Sequence, residues 1–145
     1  MSIQEEAGLI LKLYELRREE TLRLARDWFF REFNPQTIQD FQAAIMGPHS
    51  GHLRMVVTYW DMAAAMVNHG AIGAEFFSDC NGEYIGVFMK IEKLLPEIRA
   101  GFGPNFAKHI EKLIESSPNG KAQVAAMRER MKGILEALKT QQTAG

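Results

Sequence analysis

The sequence predicts an all-α fold, a single-domain helical bundle of five to seven helices with a central buried helix at about residues 53–69. Three observations predict it. Apolar residues recur at helical spacing along nearly the whole chain, and no stretch alternates with the two-residue period of a strand. Breaks fall between the periodic segments, at Asn34-Pro35, Gly47-Pro48, Asn81-Gly82 and Gly101-Phe102-Gly103-Pro104. The third observation is the stretch 53–70. Projected at 3.6 residues per turn, Leu53, Val56, Val57, Trp60, Ala63, Ala64 and Val67 share one arc. Met55, Tyr59, Met62 and Met66 form a second arc, with a narrow polar strip of Arg54, Thr58, Asp61, Ala65 and Asn68 between them. A helix apolar nearly all round is a buried helix. Arg54 and Asp61 inside it exclude a membrane span, since each would cost several kcal/mol in hydrocarbon.

The first element is predicted as one long helix over 3–33. Ile10, Leu13, Tyr14, Leu24, Ala25 and Trp28 share a broad side, and Glu19/Arg23 and Asp27/Arg31 are spaced as i,i+4 ion pairs. Its middle turn, Arg17-Arg18-Glu19-Glu20, interrupts the apolar side, so its two ends face different partners. Asn34-Pro35 marks a restart, and Ile38, Phe41 and Ile45 give the next stripe, ended by Gly47-Pro48. After the central helix, Gly70 reads as a glycine beyond the C-cap, with Ile72 placed for the hydrophobic contact that follows. A short helix around Phe76-Phe77 comes next. Tyr84, Ile85, Phe88, Ile91 and Leu95 give another stripe, which Pro96 interrupts because proline has no N–H to donate. Gly101-Phe102-Gly103 is a loop, and Pro104 reopens a helix with Phe106, Ile110, Leu113 and Ile114 inward. The last helix is predicted over 121–139, with Val124, Met127, Met131, Ile134, Leu135 and Leu138 on one narrow stripe. Residues 1–139 form the domain and 140–145 a frayed tail.

The totals bound the function classes. A chain of 145 residues, 46% apolar and 24% charged, suits one globular core. A net charge of -1 gives no basic field for nucleic acid. One cysteine allows no intrachain disulfide framework. The first twenty residues lack a secretory signal pattern, so a cytoplasmic protein without an integral membrane segment is expected.

Several chemistries can be weighed residue by residue. His49-x-x-His52 has a spacing that can hold a metal, but no compact third ligand accompanies it, and His69 lies about 25 Å of helix rise from His52. No metal and no cofactor are expected. Cys80, beside the acidic Asp79, lacks the electropositive surroundings of a reactive thiol and reads as a half-buried structural cysteine. The glycines at 101 and 103 lack the third glycine and the strand of a dinucleotide fingerprint. No catalytic residue is assigned. Asp61 is the sharpest question, because a carboxylate on a largely apolar helix must find donors. One reading makes it a ligand-contacting acid in an interhelical pocket lined by Met55, Tyr59, Met62 and Met66, whose soft side chains suit such a pocket. The other, which leads, makes it a structural ion pair with Arg99.

The segments Tyr59-Trp60-Asp61-Met62-Ala63-Ala64, Asn68-His69-Gly70-Ala71-Ile72, Leu95-Pro96-Glu97-Ile98-Arg99 and Phe106-x-x-His109-Ile110 together resemble a family of bacterial all-helical domains of unknown function. The resemblance covers about residues 20–115. It implies the helical fold and no reaction. Here aspartate stands at 61 where the family pattern has glutamate, and the turn after the central helix lacks the acid that follows its isoleucine. Some members of that family carry an N-terminal membrane anchor, which this chain is not expected to have.

The expected function is therefore a non-enzymatic interaction domain that self-associates as a homodimer. Two seams motivate it, the aromatic end of the first long helix (Trp28, Phe29, Phe30, Phe33) and the stripe of the last helix. The alternative is a binder of a small-molecule or lipid-like ligand beside the Met/Tyr arc.

Overall fold

The computed structural model describes residues 2–144; Met1 of the expected domain and Gly145 of the expected tail lie outside the described residues. Among them the chain forms nine α-helices and no strand. These are α1 (Ile3–Arg17), α2 (Glu20–Arg31), α3 (Ile38–Met46), α4 (Ser50–Asn68), α5 (Ala74–Cys80), α6 (Glu83–Ile91), α7 (Leu95–Phe102), α8 (Lys108–Ser116) and α9 (Gly120–Ala144), with one 3-10 turn, Glu92–Leu94, between α6 and α7. The all-α class matches the expectation. The helix count exceeds five to seven, for reasons local to each break.

The predicted first helix is two helices. Glu19 adopts an extended backbone, and its carboxylate accepts from the N–H groups of Thr21 and Leu22 at 3.0 Å each. Those contacts hold its pKa below the usual carboxylate range, the Thr21 N–H first. Glu19 thus caps α2 instead of pairing with Arg23, whereas Asp27 and Arg31 do pair, at 2.8 Å. The restart at Asn34-Pro35 is displaced to Thr37, which forms a capping box with Asp40 at the start of α3. Pro96 starts α7 instead of kinking a longer helix. At the other end of the chain, 140–144 continue α9 as helix.

α4 is the centre of the bundle. All seven residues of its first arc are buried. It packs chiefly against α2 on one side and α8 on the other, while α9 lies along α6. α1 runs antiparallel to α4. Its Glu6 accepts from the Gly73 N–H beyond the end of α4, and the carbonyl of Leu13 accepts from the Tyr59 hydroxyl. The α4 C-terminus closes as the glycine turn expected. Gly70 has φ +85, its N–H donates to the Val67 carbonyl, and the Ala71 N–H donates to the Met66 carbonyl. Ile72 beyond it is fully buried. At the root of α9, Gly120 is buried against α8, where any Cβ would stand on the Ile114 carbonyl.

Candidate functional site

The Met/Tyr arc of α4 lines a trough. Leu16, Glu19 and Leu22 from the α1–α2 corner face Met55, Thr58, Tyr59 and Met62 across a volume of about 420 Å³ that is open to solvent. Glu19 is the one charged side chain among these residues. Met55, Tyr59 and Met62 therefore share a surface, as the sequence reading grouped them. Met66 packs partly buried against the core, and Asp61 faces another neighbour, so neither lines the trough. Tyr59 is held by its Leu13 bond, and burial pushes its hydroxyl pKa up.

Asp61 does not pair with Arg99. Its Oδ1 accepts from the backbone N–H groups of His109 and Ile110, at 2.8 and 3.0 Å. These are donors of the first turn of α8, which no residue of that helix's own N-terminus satisfies by a side chain. The residue in the cap position, Ala107, stands in the left-handed region at φ 54. Asp61 thus acts as the N-cap of a helix remote in sequence. Asn68, two turns on, adds a bond from its Nδ2 to the His109 carbonyl at 3.0 Å. Arg99 meets Glu111 at 3.0 Å and donates to the Phe106 carbonyl. Asp61 and Asn68 of the polar strip thus clamp α4 to α8. Asp61→Ala is expected to lower the unfolding free energy by about 1–2 kcal/mol, the usual cost of a lost cap. Urea denaturation checks it; a midpoint unchanged from the parent would remove the clamp.

The other candidates also have places. His49 stacks on Trp28 with ring centroids 5.1 Å apart, and His52 lies 6.2 Å from the same indole. Among the described residues no group of three or more His, Cys, Asp or Glu is arranged to hold a metal ion. Cys80, expected half-buried, is exposed. The aromatic end of the first predicted helix is core, not a seam. Phe29 is fully buried, Trp28 and Phe33 nearly so, and Phe30 packs partly buried against them.

Two polar centres escaped the sequence reading. Lys90 is only 9% exposed. Its Nζ donates to the carbonyls of Phe29 (2.8 Å), Phe30 (3.2 Å) and Phe33 (2.7 Å) and to Asn34 Oδ1 (3.0 Å). Burial pushes its pKa down to about 8, so the ammonium persists at neutral pH. There it completes the C-terminal end of α2, whose last carbonyls attract a cation. The second centre is Glu83. It accepts from Arg26 Nε and Nη2, the latter at 2.8 Å, and from Trp60 Nε1 at 2.7 Å. The hydrogen bonds to Glu83 raise the Arg26 pKa. A lone lysine in the run Tyr84-Ile85-Gly86-Val87-Phe88-Met89-Lys90-Ile91 was the signal available for the first centre.

The last surface is the far half of α9. Val124 is buried and Met127 and Met131 pack against the core, but the same stripe then continues through Ile134, Leu135 and Leu138, of which Ile134 is 54% and Leu138 49% exposed. Lys132 and Lys139 flank this stretch on one side and Arg130 on the other.

Fold and surfaces define an all-helical domain built for packing, with polar side chains spent on joining helices; among the described residues no helix is long and apolar enough to cross a membrane. The chain belongs to the family described as domain of unknown function DUF4760, whose model matches residues 2–117. The resemblance read over about 20–115 is thus a family membership, and α9 begins just beyond the matched residues. No curated protein and no solved structure matches the chain.

Proposed function

We propose that this chain is a non-enzymatic helical interaction domain that self-associates through the projecting end of α9. The observation that carries it is the continuing stripe. An apolar face that is core up to Met131 emerges into solvent at Ile134, Leu135 and Leu138 without changing its period. Residues 132–144 make roughly 20 Å of helix, and a contiguous apolar face on such a projection marks an interaction surface. Asp61, Lys90 and Glu83, at three separate junctions, are all engaged in joining helices, which supports a binding role over a catalytic one. The formal charge of -1 supports a protein partner over nucleic acid, and the single thiol suits a reducing, cytoplasmic setting.

Light scattering of the parent at tens of micromolar is expected to give a dimer, and Leu138→Asp a monomer with an unchanged melt. A monomeric parent at that concentration would refute the reading. A second reading, a site for a lipid-like small molecule, is favoured by the apolar trough beside Met55, Tyr59 and Met62. That trough is open to solvent, whereas small-ligand sites enclose most of their ligand, so a partner surface suits it better.

A further inference from the structure

Resting on the self-association reading, we propose that the projecting end of α9 docks in the Met/Tyr trough of a second copy, and that the exchange is reciprocal. Both surfaces are apolar and neither is covered by its own chain. Met62 is 46% exposed in the trough. Met55 and Met62 stand two helical turns apart, about 10 Å, and the exposed stretch from Ile134 to Leu138 spans about 6 Å, so one fits within the other.

Charge selects the trough over a second α9. The flanks of the exposed stretch are basic, Lys132 and Lys139 on one side and Arg130 on the other. Two such helices laid face to face would bring like charges together, whereas the trough carries Glu19 as its lining charge. Glu19 stays ionised because the Thr21 and Leu22 N–H groups hold its pKa down, and its cap leaves lone pairs facing outward for a lysine.

Position makes the contact intermolecular. Arg128 binds the Met89 carbonyl and Glu92, so α9 leaves the body at the C-terminal end of α6. Lys90 joins that end of α6 to the C-terminal end of α2. The trough lies at the opposite, N-terminal end of α2, beside Glu19 and Leu22. A continuous α9 cannot turn back to it within one chain. Two copies exchanging the same contact close a two-fold dimer, and each contact is made twice.

The test mixes two variants, Met62→Asp and Leu138→Asp. Both residues are exposed in the single chain, and unchanged melting of each variant verifies its fold. Each alone is expected to weaken dimerisation about tenfold or more, measured by sedimentation. Mixed in equal amounts, they are expected to recover part of the association. The heterodimer keeps one intact contact, the α9 of the Met62→Asp copy in the trough of the Leu138→Asp copy. If Met62→Asp dimerises as tightly as the parent while Leu138→Asp does not dimerise, the trough is not the docking site, and self-association through α9 stands. If both variants weaken and mixing recovers nothing, the exchanged arrangement is likewise overturned. A monomeric parent overturns both readings.

Discussion

Replacing Lys90 by methionine is expected to lower the unfolding free energy by about 3 kcal/mol. The substitution keeps the unbranched stem and removes the ammonium. Four oxygens then lose their donor at once at the end of α2, three of them main-chain carbonyls. Each orphaned buried acceptor costs about 1 kcal/mol or more, discounted here because Phe30 is only partly buried and Asn34 is exposed. A denaturation midpoint within error of the parent would show that α2 ends well enough without the cation.

The pH dependence separates the charge from the packing. With the folded pKa at about 8 and an unfolded value of about 10.4, the unfolded chain holds a proton across this window that the folded chain has released. Stability rises with pH wherever the unfolded state binds more protons. The parent is therefore expected to gain stability relative to Lys90→Met between pH 8 and about 10, and to hold a constant difference from it below pH 7. A parent–variant difference that stays flat between pH 8 and about 10 would mean that the carbonyl cage offsets burial and keeps the ammonium charged across the window.

Glu83→Ala is expected to cost about 2–3 kcal/mol. Its carboxylate accepts from a half-buried guanidinium and from the indole N–H of Trp60, which is itself almost fully buried. Removing it leaves Arg26 without its counter-charge and Trp60 with an orphaned donor. The pair is partly exposed, at 29% and 24%, which places the estimate below that of a fully buried pair. Glu83→Gln keeps an acceptor for the indole and should cost about half as much. Urea unfolding followed by tryptophan fluorescence reads both. Equal losses in the two variants would assign the effect to the charge alone, and no loss in either would dismiss the centre.

The central helix was legible because its signal is local. Seven apolar residues on one arc can only be buried, and all seven are. Gly70 and Ile72 were legible for the same reason, since a C-terminal glycine turn is complete within six residues. The division of the first helix was not, because Glu19 is a good helix former, and its backbone reveals itself as a cap only when its carboxylate turns to Thr21 and Leu22. Asp61 was correctly singled out as an acid in need of donors. Its donors were the first-turn amides of α8, invisible to any search for a charged partner, and Arg99 was already engaged by Glu111. Lys90 was passed over because an apolar stripe at Tyr84, Ile85, Phe88 and Ile91 draws attention away from the cation among them. What it binds, the open end of α2, exists only once α2 has ended. The trough was half legible. Met55, Tyr59 and Met62 come from one helix, but the opposite wall is the α1–α2 corner that the sequence reading had drawn as continuous helix.

Gly120 gives the arrangement its leverage. Only a hydrogen fits against the Ile114 carbonyl at that point, so α9 can start hard against the end of α8. Leu138 sits roughly 27 Å further along the same helix. A tilt of about ten degrees at the joint moves Leu138 by about 5 Å, as far as one strip of side chains is wide. A methyl group at position 120 would therefore act at a distance. It would leave the trough and the apolar stripe chemically intact while aiming one past the other, so the proposed fit between two copies would depend on an atom too small to appear in either surface.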